Sequence, residues 1–164
     1  QFKNVLAPGD LYFERARESR APLPPLLRAA MDRHRGSWGI LLRARSAQEP
    51  LGWVCGHTVT SSQLLETLGS QDAAAYVRQH TSGRIMMVDS VVSLSPQTEG
   101  ACRQLVNELL ARSLKTDHTY ALCRSSGRDS LYQDLLQLGF LPIPGQPDIL
   151  SVDMRSPMVL IQDV

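Results

Sequence analysis

The stretch IMMVDSVVSLSPQTEGACRQLVNELL, residues 85–110, is the most informative part of this sequence. Residues 85–94 are almost continuously apolar, which is typical of a strand buried on both faces of a sheet. Pro96 ends the predicted strand, and a polar turn that contains Gly100 leads directly into a helix. Apolar residues of that helix recur three and four positions apart, which predicts a core-facing side: Cys102, Leu105, Val106, Leu109 and Leu110. The stretch therefore predicts a strand–turn–helix unit of an α/β domain.

The segments before and after this unit predict a single mixed, mostly antiparallel sheet flanked by helices, of the α/β (α+β) class. Before the unit we predict a helix between Pro22 and Gly36, strands at 38–42 and 51–60, and an insertion over 61–83 with a helix at 72–79. After it we predict a strand at 120–123, a helix that ends at Gly139, and closing strands at 140–143 and 149–161.

The domain organisation that we predict has two parts. Residues 1–21 are interpreted as an N-terminal extension or linker, with a short helix from Asp10 to Glu18, and residues 22–164 as one domain. Because the chain starts with Gln1 rather than methionine, we expect other domains of a longer chain as partners.

Composition excludes several classes of protein. The 164 residues include 17 basic and 16 acidic side chains, and a net charge of +1 makes a nucleic-acid partner unlikely. No apolar run reaches the ~18 residues of a membrane span, so we expect no membrane partner. The three cysteines are widely spaced and form no CxxC motif, so we expect no metal site, and a reducing, cytoplasmic location.

Two motifs resemble those of the GNAT acyltransferase superfamily. Residues 97–102, QTEGAC, resemble the Q/R-x-x-G-x-G/A motif with which that superfamily binds the pyrophosphate of acyl-CoA. Residues 131–140, LYQDLLQLGF, resemble its second signature, a helix that ends in Leu-Gly-Phe before a strand. The resemblance implies a GNAT-like domain that uses acetyl-CoA or another acyl-CoA as a substrate.

The resemblance also implies which residues bind the cofactor. Arg103, and likewise Arg124 or Arg128, would contact its phosphate groups through charge-assisted hydrogen bonds, with a solvated arginine as the alternative for each. A strand amide at Val91 or Val92 would polarise the acyl carbonyl. Backbone amides of the turn and helix start would hold the pyrophosphate: Gln97, Thr98, Glu99, Gly100, Ala101 and Cys102.

The chain departs from the superfamily's pattern at both motifs. Cys102 replaces the usual glycine or alanine, and Gln97 follows Pro96 directly, which shortens the loop. Leu135 stands where family enzymes often have a tyrosine that protonates the CoA thiolate. Tyr132, three residues earlier, is therefore our candidate acid, with a half-buried structural tyrosine as the alternative.

Acyl transfer to an amine also requires a group that accepts the amine's proton. Asp89 is our candidate, because an acidic side chain is unusual within an apolar strand; the alternatives are a water as base and a structural carboxylate. His57, in the predicted hairpin, is a base, a ligand or a structural sheet histidine. We interpret the remaining histidines, which lie near predicted helix ends and turns, as surface residues: His34, His80 and His118.

The function that we predict is acyl-CoA-dependent N-acyl transfer, by direct attack, to an amine of a small molecule or a protein. The departures from the motifs favour a second hypothesis, a non-catalytic GNAT-like module that binds a ligand or another domain. A third hypothesis is decarboxylation or S-acyl transfer of the kind performed by GNAT-like domains of polyketide loading modules.

Overall fold

The computed structural model describes residues 8–81, 83–94, 100–127 and 130–156. These residues contain seven strands and five α-helices. The strands are β1 (Leu11–Arg15), β2 (Trp38–Ala44), β3 (Gly52–Val59), β4 (Arg84–Ser93), β5 (His118–Arg124), β6 (Leu141–Ile143) and β7 (Gln146–Asp153). The helices are α1 (Pro25–Asp32), α2 (Leu64–Leu68), α3 (Gln71–His80), α4 (Ala101–Leu114) and α5 (Ser130–Gln137).

The strands form one sheet in the order β1-β2-β3-β4-β5-β7-β6. Every neighbouring pair is antiparallel except β4 and β5, which run parallel and are joined by α4. A parallel pair requires such a crossover connection, whereas antiparallel neighbours can be joined by short turns. The predicted fold class, a mixed and mostly antiparallel sheet with flanking helices, is confirmed.

Helices α4 and α5 cover one face of the sheet. The predicted apolar side of α4 is confirmed for its four central residues, which are fully buried: Leu105, Val106, Leu109 and Leu110. They pack with Phe140, which follows α5, and with Val54 and Met86 from the centre of the sheet. This is the largest hydrophobic cluster of the described residues, and it packs α4 against β3 and β4.

The opposite face is covered by α1 at one end and by α2 and α3 at the other. Pro25 occupies the first turn of α1, as the sequence predicted, and Leu27 and Ala30 pack on Leu41 and Trp53. The 61–83 insertion forms α2 and α3, whose buried side chains lie against β4 and β5. The pocket described below lies on this face.

The structure differs from the sequence-based predictions at both ends of the chain. Residues 11–15 form an edge strand paired with β2 rather than a helix, so the predicted extension over 1–21 contains part of the sheet. Leu11 and Phe13 pack against the main cluster, a spacing of two that suits a strand. At the other end we predicted a strand to Ile161, but β7 ends at Asp153 and a turn follows it. Residues 157–161 of that predicted strand lie outside the described residues.

His118 is fully buried, so its interpretation as a surface residue was wrong. Its Nδ1 lies 3.1 Å from the Ser113 carbonyl oxygen and 3.0 Å from Thr116 Oγ1, while Nε2 lies 2.8 Å from Thr58 Oγ1. A neutral ring that donates from Nδ1 and accepts at Nε2 satisfies this arrangement. Burial lowers the pKa of His118 and Arg84 lowers it further, against the opposing effects of the hydrogen bonds with Ser113 and Thr116 and of the Asp117 charge.

We expect this histidine to make the fold sensitive to acid. Because the pKa of His118 is lower in the folded state, the unfolded chain binds the proton first, and stability is lost as pH falls below about 6.5, the ordinary histidine value. His118→Asn keeps a donor near Ser113 but cannot titrate. It should cost about 1–3 kcal/mol at pH 7.5 and lose less stability than the native chain between pH 7.5 and 5.5, measured by urea unfolding. Equal losses in both proteins would contradict this assignment.

Candidate active site

Strands β4 and β5 separate at the middle of the sheet. Their pairing runs from Arg84 with His118 to Val88 with Cys123. Beyond Val88, β4 continues to Ser93 along β3, whereas β5 ends at Arg124. Among the described residues, the edge of β4 from residue 89 onward therefore has no neighbouring strand and faces a gap.

A β-bulge in β4 lies at the start of this gap. Cys55 of β3 pairs with Ser90 and Gly56 pairs with Val88, so Asp89 falls between two paired positions. Val88 and Val91 consequently pack on the same face of the sheet, although regular alternation would put them on opposite faces. The extra residue turns Asp89 and Ser90 towards the face covered by α1 and α2.

Asp89 is hydrogen-bonded to His57 of β3. The distance between Asp89 Oδ2 and His57 Nδ1 is 2.6 Å, and the side chains are only 13% and 12% exposed. The structure thus joins two residues that the sequence offered as separate candidates. With Nδ1 bonded to the carboxylate, Nε2 is the nitrogen of His57 that can accept a proton from a ligand.

The ring of His34, which follows α1, stacks on the His57 ring with centroids 3.6 Å apart and an interplanar angle of 7°. Three residues here could each offer one ligand atom to a metal ion: His34, His57 and Asp89. These three atoms lie within 4.8 Å of one another, a spacing that suits a metal ion. A histidine nitrogen binds a metal along its lone pair, in the ring plane. Two nearly parallel rings share no such point, so the rings in this arrangement are not oriented to bind one metal ion together.

Cys55 lies on β3 beside this cluster and is fully buried. Burial raises the pKa of its thiol to about 12, and the charge of Asp89 contributes to that increase. Arg33, at the end of α1, acts in the opposite direction. The thiol is therefore protonated at neutral pH, which argues against Cys55 as a nucleophile.

The histidine–aspartate pair lines a pocket of about 620 Å³ between α1, α2 and the separated strands. Arg124, at the end of β5, donates from Nη2 to the carbonyl oxygens of Thr67 and Leu68 at 2.9 and 3.2 Å. These carbonyls lie at the end of α2, so Arg124 fixes that helix against the sheet as one wall of the pocket. Leu131, from α5, lines the pocket as well.

The N-terminus of α4 follows β4, with Gly100 as its N-cap in the left-handed conformation, at φ = +74°. Among the predicted cofactor residues, Ala101 is buried and Cys102 is half-buried. Arg103 donates to Gln137, and its guanidinium lies 3.8 Å from the Asp134 carboxylate. An added Cβ at Gly100 would lie 2.9 Å from Arg103 Nη2, so this guanidinium extends over the helix start.

The two candidate amides of β4 point in opposite directions. Leu94 N–H donates to the Leu51 carbonyl, which lies next to β3, and alternate residues of a strand share an edge. The N–H of Val92 therefore faces β3. The Val92 carbonyl oxygen faces β3 as well, because a Cβ built on Gly52 would contact it. The N–H of Val91 faces the gap.

Tyr132, the candidate acid, lies on α5 and packs partly buried against the main cluster and Gly127. Its neighbour Leu131 lines the pocket, whereas Tyr132 is not among the described residues that do. Leu135 is fully buried. The remaining predicted cofactor residues lie outside the described residues: Gln97, Thr98, Glu99 and Arg128.

A larger groove, of about 1180 Å³, lies at the β1 edge of the sheet. Its charged residues are mostly paired, including Arg112 Nε with Glu108 Oε2 at 2.6 Å. The groove lacks an arrangement comparable to His57 and Asp89 among the described residues, so the smaller pocket is the candidate active site. None of the described helices has the length and apolarity needed to span a membrane.

Comparison with solved structures identifies the class of fold. Arabidopsis thaliana NAA60 in complex with acetyl-CoA aligns with 89% of this chain and 99% of its own, at 10% identity and a TM-score of 0.60. A mutant of the toxin AtaT, bound to the antitoxin AtaR C-terminus and acetyl-CoA, aligns with 89% of this chain and 94% of its own, at 14% identity and a TM-score of 0.55. A GNAT-family putative acetyltransferase from Desulfovibrio desulfuricans aligns with 88% and 99%, at 10% identity and a TM-score of 0.52.

The chain therefore has the GNAT fold, as its two motifs predicted. No protein-family model matches the sequence, and a search of curated proteins found no match. At 10–14% identity these similarities show the fold alone.

Proposed function

We propose that this chain is an acyl-CoA-dependent N-acyltransferase. The observation that carries the proposal is the hydrogen-bonded His57–Asp89 pair, held in a pocket where β4 separates from β5. A base fixed by a carboxylate beside an open strand edge can supply both the proton acceptor and the carbonyl-polarising amide that acyl transfer to an amine uses. Two structural neighbours are complexes with acetyl-CoA, and a third is a putative acetyltransferase of the GNAT family, which supports the same class of reaction.

In the proposed reaction, the acceptor amine enters from the pocket and its nitrogen attacks the thioester carbonyl carbon. The C–S bond breaks, the amide bond forms, and CoA leaves as its thiolate. His57 Nε2 accepts the proton that the amine loses, while Asp89 holds the ring through Nδ1. This refines the expectation from sequence, because Asp89 then acts through His57 rather than directly on the amine.

The acyl-CoA would lie along the gap between β4 and β5. The N–H of Val91 faces that gap and would donate to the acyl carbonyl oxygen as negative charge develops there. The pyrophosphate would bind the first-turn amides of α4, after Gly100, where the helix dipole favours an anion. Arg103, already positioned over this helix start, would add a charge-assisted hydrogen bond. We propose no role in proton transfer for Tyr132, which is not among the described residues that line the pocket.

The test is acyl transfer by the purified protein. With acetyl-CoA and a panel of amines, we expect CoA release that depends on the amine, together with an N-acetylated product identified by mass spectrometry. Asp72→Asn, which removes a carboxylate exposed on α3, serves as a control and should retain native activity.

Two negative outcomes have different meanings. Acetyl-CoA binding by calorimetry without product from any amine would replace the enzyme by the non-catalytic binding module. Absence of both binding and product would overturn acyl-CoA as the ligand.

A further inference from the structure

The wall of the pocket formed by the end of α1 is strongly basic. Arg33 and Arg35 flank His34, and both line the pocket. Neither guanidinium has an ion-pair or hydrogen-bond partner among the residues that the structure describes. Arg124, across the pocket, differs because its guanidinium donates to the carbonyls of Thr67 and Leu68. Two cationic groups next to the histidine–aspartate pair are thus available to a ligand.

The backbone turns these arginines towards the site. Helix α1 ends at Asp32, Arg33 is its C-cap, and Gly36 at φ = +74° reverses the chain into β2. Arg33 and Asp89 both influence the pKa of Cys55, in opposite directions, so the two charges lie near the same thiol on β3. Arg33 and Asp89 also line the same pocket, which places both charges on one side of the sheet.

Acidic groups complete the charge pattern of the pocket. Asp89 lies at its base with His57, and Glu66 of α2 lines the opposite wall. A ligand that carried only negative charge would meet both carboxylates, and one that carried only an amine would leave the arginines without a partner. A molecule with both charges suits this pattern best.

We propose that the acceptor is an amino acid, a small molecule that carries a carboxylate beside its reactive amine. Its carboxylate binds Arg33 and Arg35, which present the planar fork that pairs with carboxylates. Its amine then lies towards His57 and Asp89. The inference rests on the proposed acyl transfer and adds the class of acceptor and the two residues that select it.

The test compares acceptors that differ only in the carboxylate. Alanine, leucine and phenylalanine are each paired with their carboxamide, and kcat/KM for acetyl transfer is measured for all six. We expect at least one amino acid to exceed its amide by roughly 10- to 100-fold, the effect of charge-assisted hydrogen bonds. Arg33→Gln combined with Arg35→Gln should bring that ratio close to one. Arg28→Gln, which removes an exposed arginine from α1 outside the pocket, should preserve the ratio.

A binding measurement separates this inference from the proposed reaction. The same six compounds are titrated into the protein and followed by NMR. Tighter binding of an acid than of its amide, lost in the double arginine variant, supports amino-acid recognition by the two arginines even if no acyl group is transferred. Acyl transfer that is equally fast with acids and amides overturns the inference and leaves the N-acyltransferase proposal standing. Equal binding of acids and amides without any transfer also overturns the inference, and the wider panel of amines with acetyl-CoA decides the N-acyltransferase proposal separately.

Discussion

Asp89→Asn is expected to lower the kcat of acyl transfer by about 10²- to 10⁴-fold, the range attributed to general acid–base catalysis. The asparagine amide keeps the size of the side chain and can bond to His57 Nδ1. It cannot favour the proton on that nitrogen as the carboxylate does, so Nε2 is no longer kept free as an acceptor. His57→Gln should produce a loss of similar size, because it removes the base itself.

The two substitutions together should lose no more than the larger single loss, because the pair acts as one unit. Acetyl-CoA affinity should stay within about threefold of the native value in each variant, since the proposed pyrophosphate site at α4 is separate. Circular dichroism and the melting temperature show whether each variant is folded. A folded Asp89→Asn protein with kcat within threefold of the native value would remove Asp89 from the mechanism.

The second large effect is expected for Gly100→Glu, which should weaken acetyl-CoA binding by about 100-fold or more, measured by calorimetry. The new carboxylate would lie at the start of α4, where it repels pyrophosphate and competes for the nearby Arg103 guanidinium. The left-handed backbone at φ = +74° adds strain for any side chain at this position.

Gly69→Glu is the matched control for that strain. Gly69 ends α2 at φ = +71° and has open space around it, so this variant introduces the same side chain into a similar backbone conformation away from α4. It should lose stability comparable to Gly100→Glu but bind acetyl-CoA with the native affinity. If both variants bind acetyl-CoA equally well, the helix start of α4 is not the pyrophosphate site.

Local sequence patterns predicted most of the architecture. The apolar run at 85–94 predicted β4 (Arg84–Ser93). The helical spacing that begins at Cys102 predicted α4, which starts at Ala101. Gly139 follows the end of α5 in the left-handed conformation, as predicted, at φ = +100°, whereas α1 already ends at Asp32, before Gly36. These signals are local, because each depends on side-chain periodicity or on a backbone conformation that favours glycine.

The errors arose where distant parts of the chain determine the environment. Residues 11–15 are too few to reveal a strand by themselves, and their strand conformation depends on pairing with β2, some 30 residues later. His118 follows a turn, which suggests exposure, but the Thr58 hydroxyl and the Ser113 carbonyl enclose it from elements far apart in sequence. Neither arrangement leaves a periodic signal.

The sequence predicted two residues of the candidate site, but not the hydrogen bond that joins them. Asp89 and His57 were both named from sequence, yet they are 32 residues apart, and the bulge that turns Asp89 towards His57 depends on the register of β3 and β4. His34, Arg33 and Arg35 were missed as site residues. Three polar residues directly after a helix, before a glycine, look like an ordinary solvated helix end, and only the tertiary fold brings them over the pocket.

The bulge in β4 also has a consequence for how such a domain can diversify. Asp89 lies outside the regular ladder with β3 and outside the hydrophobic clusters, and its main bond is the one to His57. A substitution there changes the chemistry of the pocket while the sheet and its core stay intact. In the proposed mechanism, selection for a new reaction and selection for a stable fold would therefore act on different residues of the same strand.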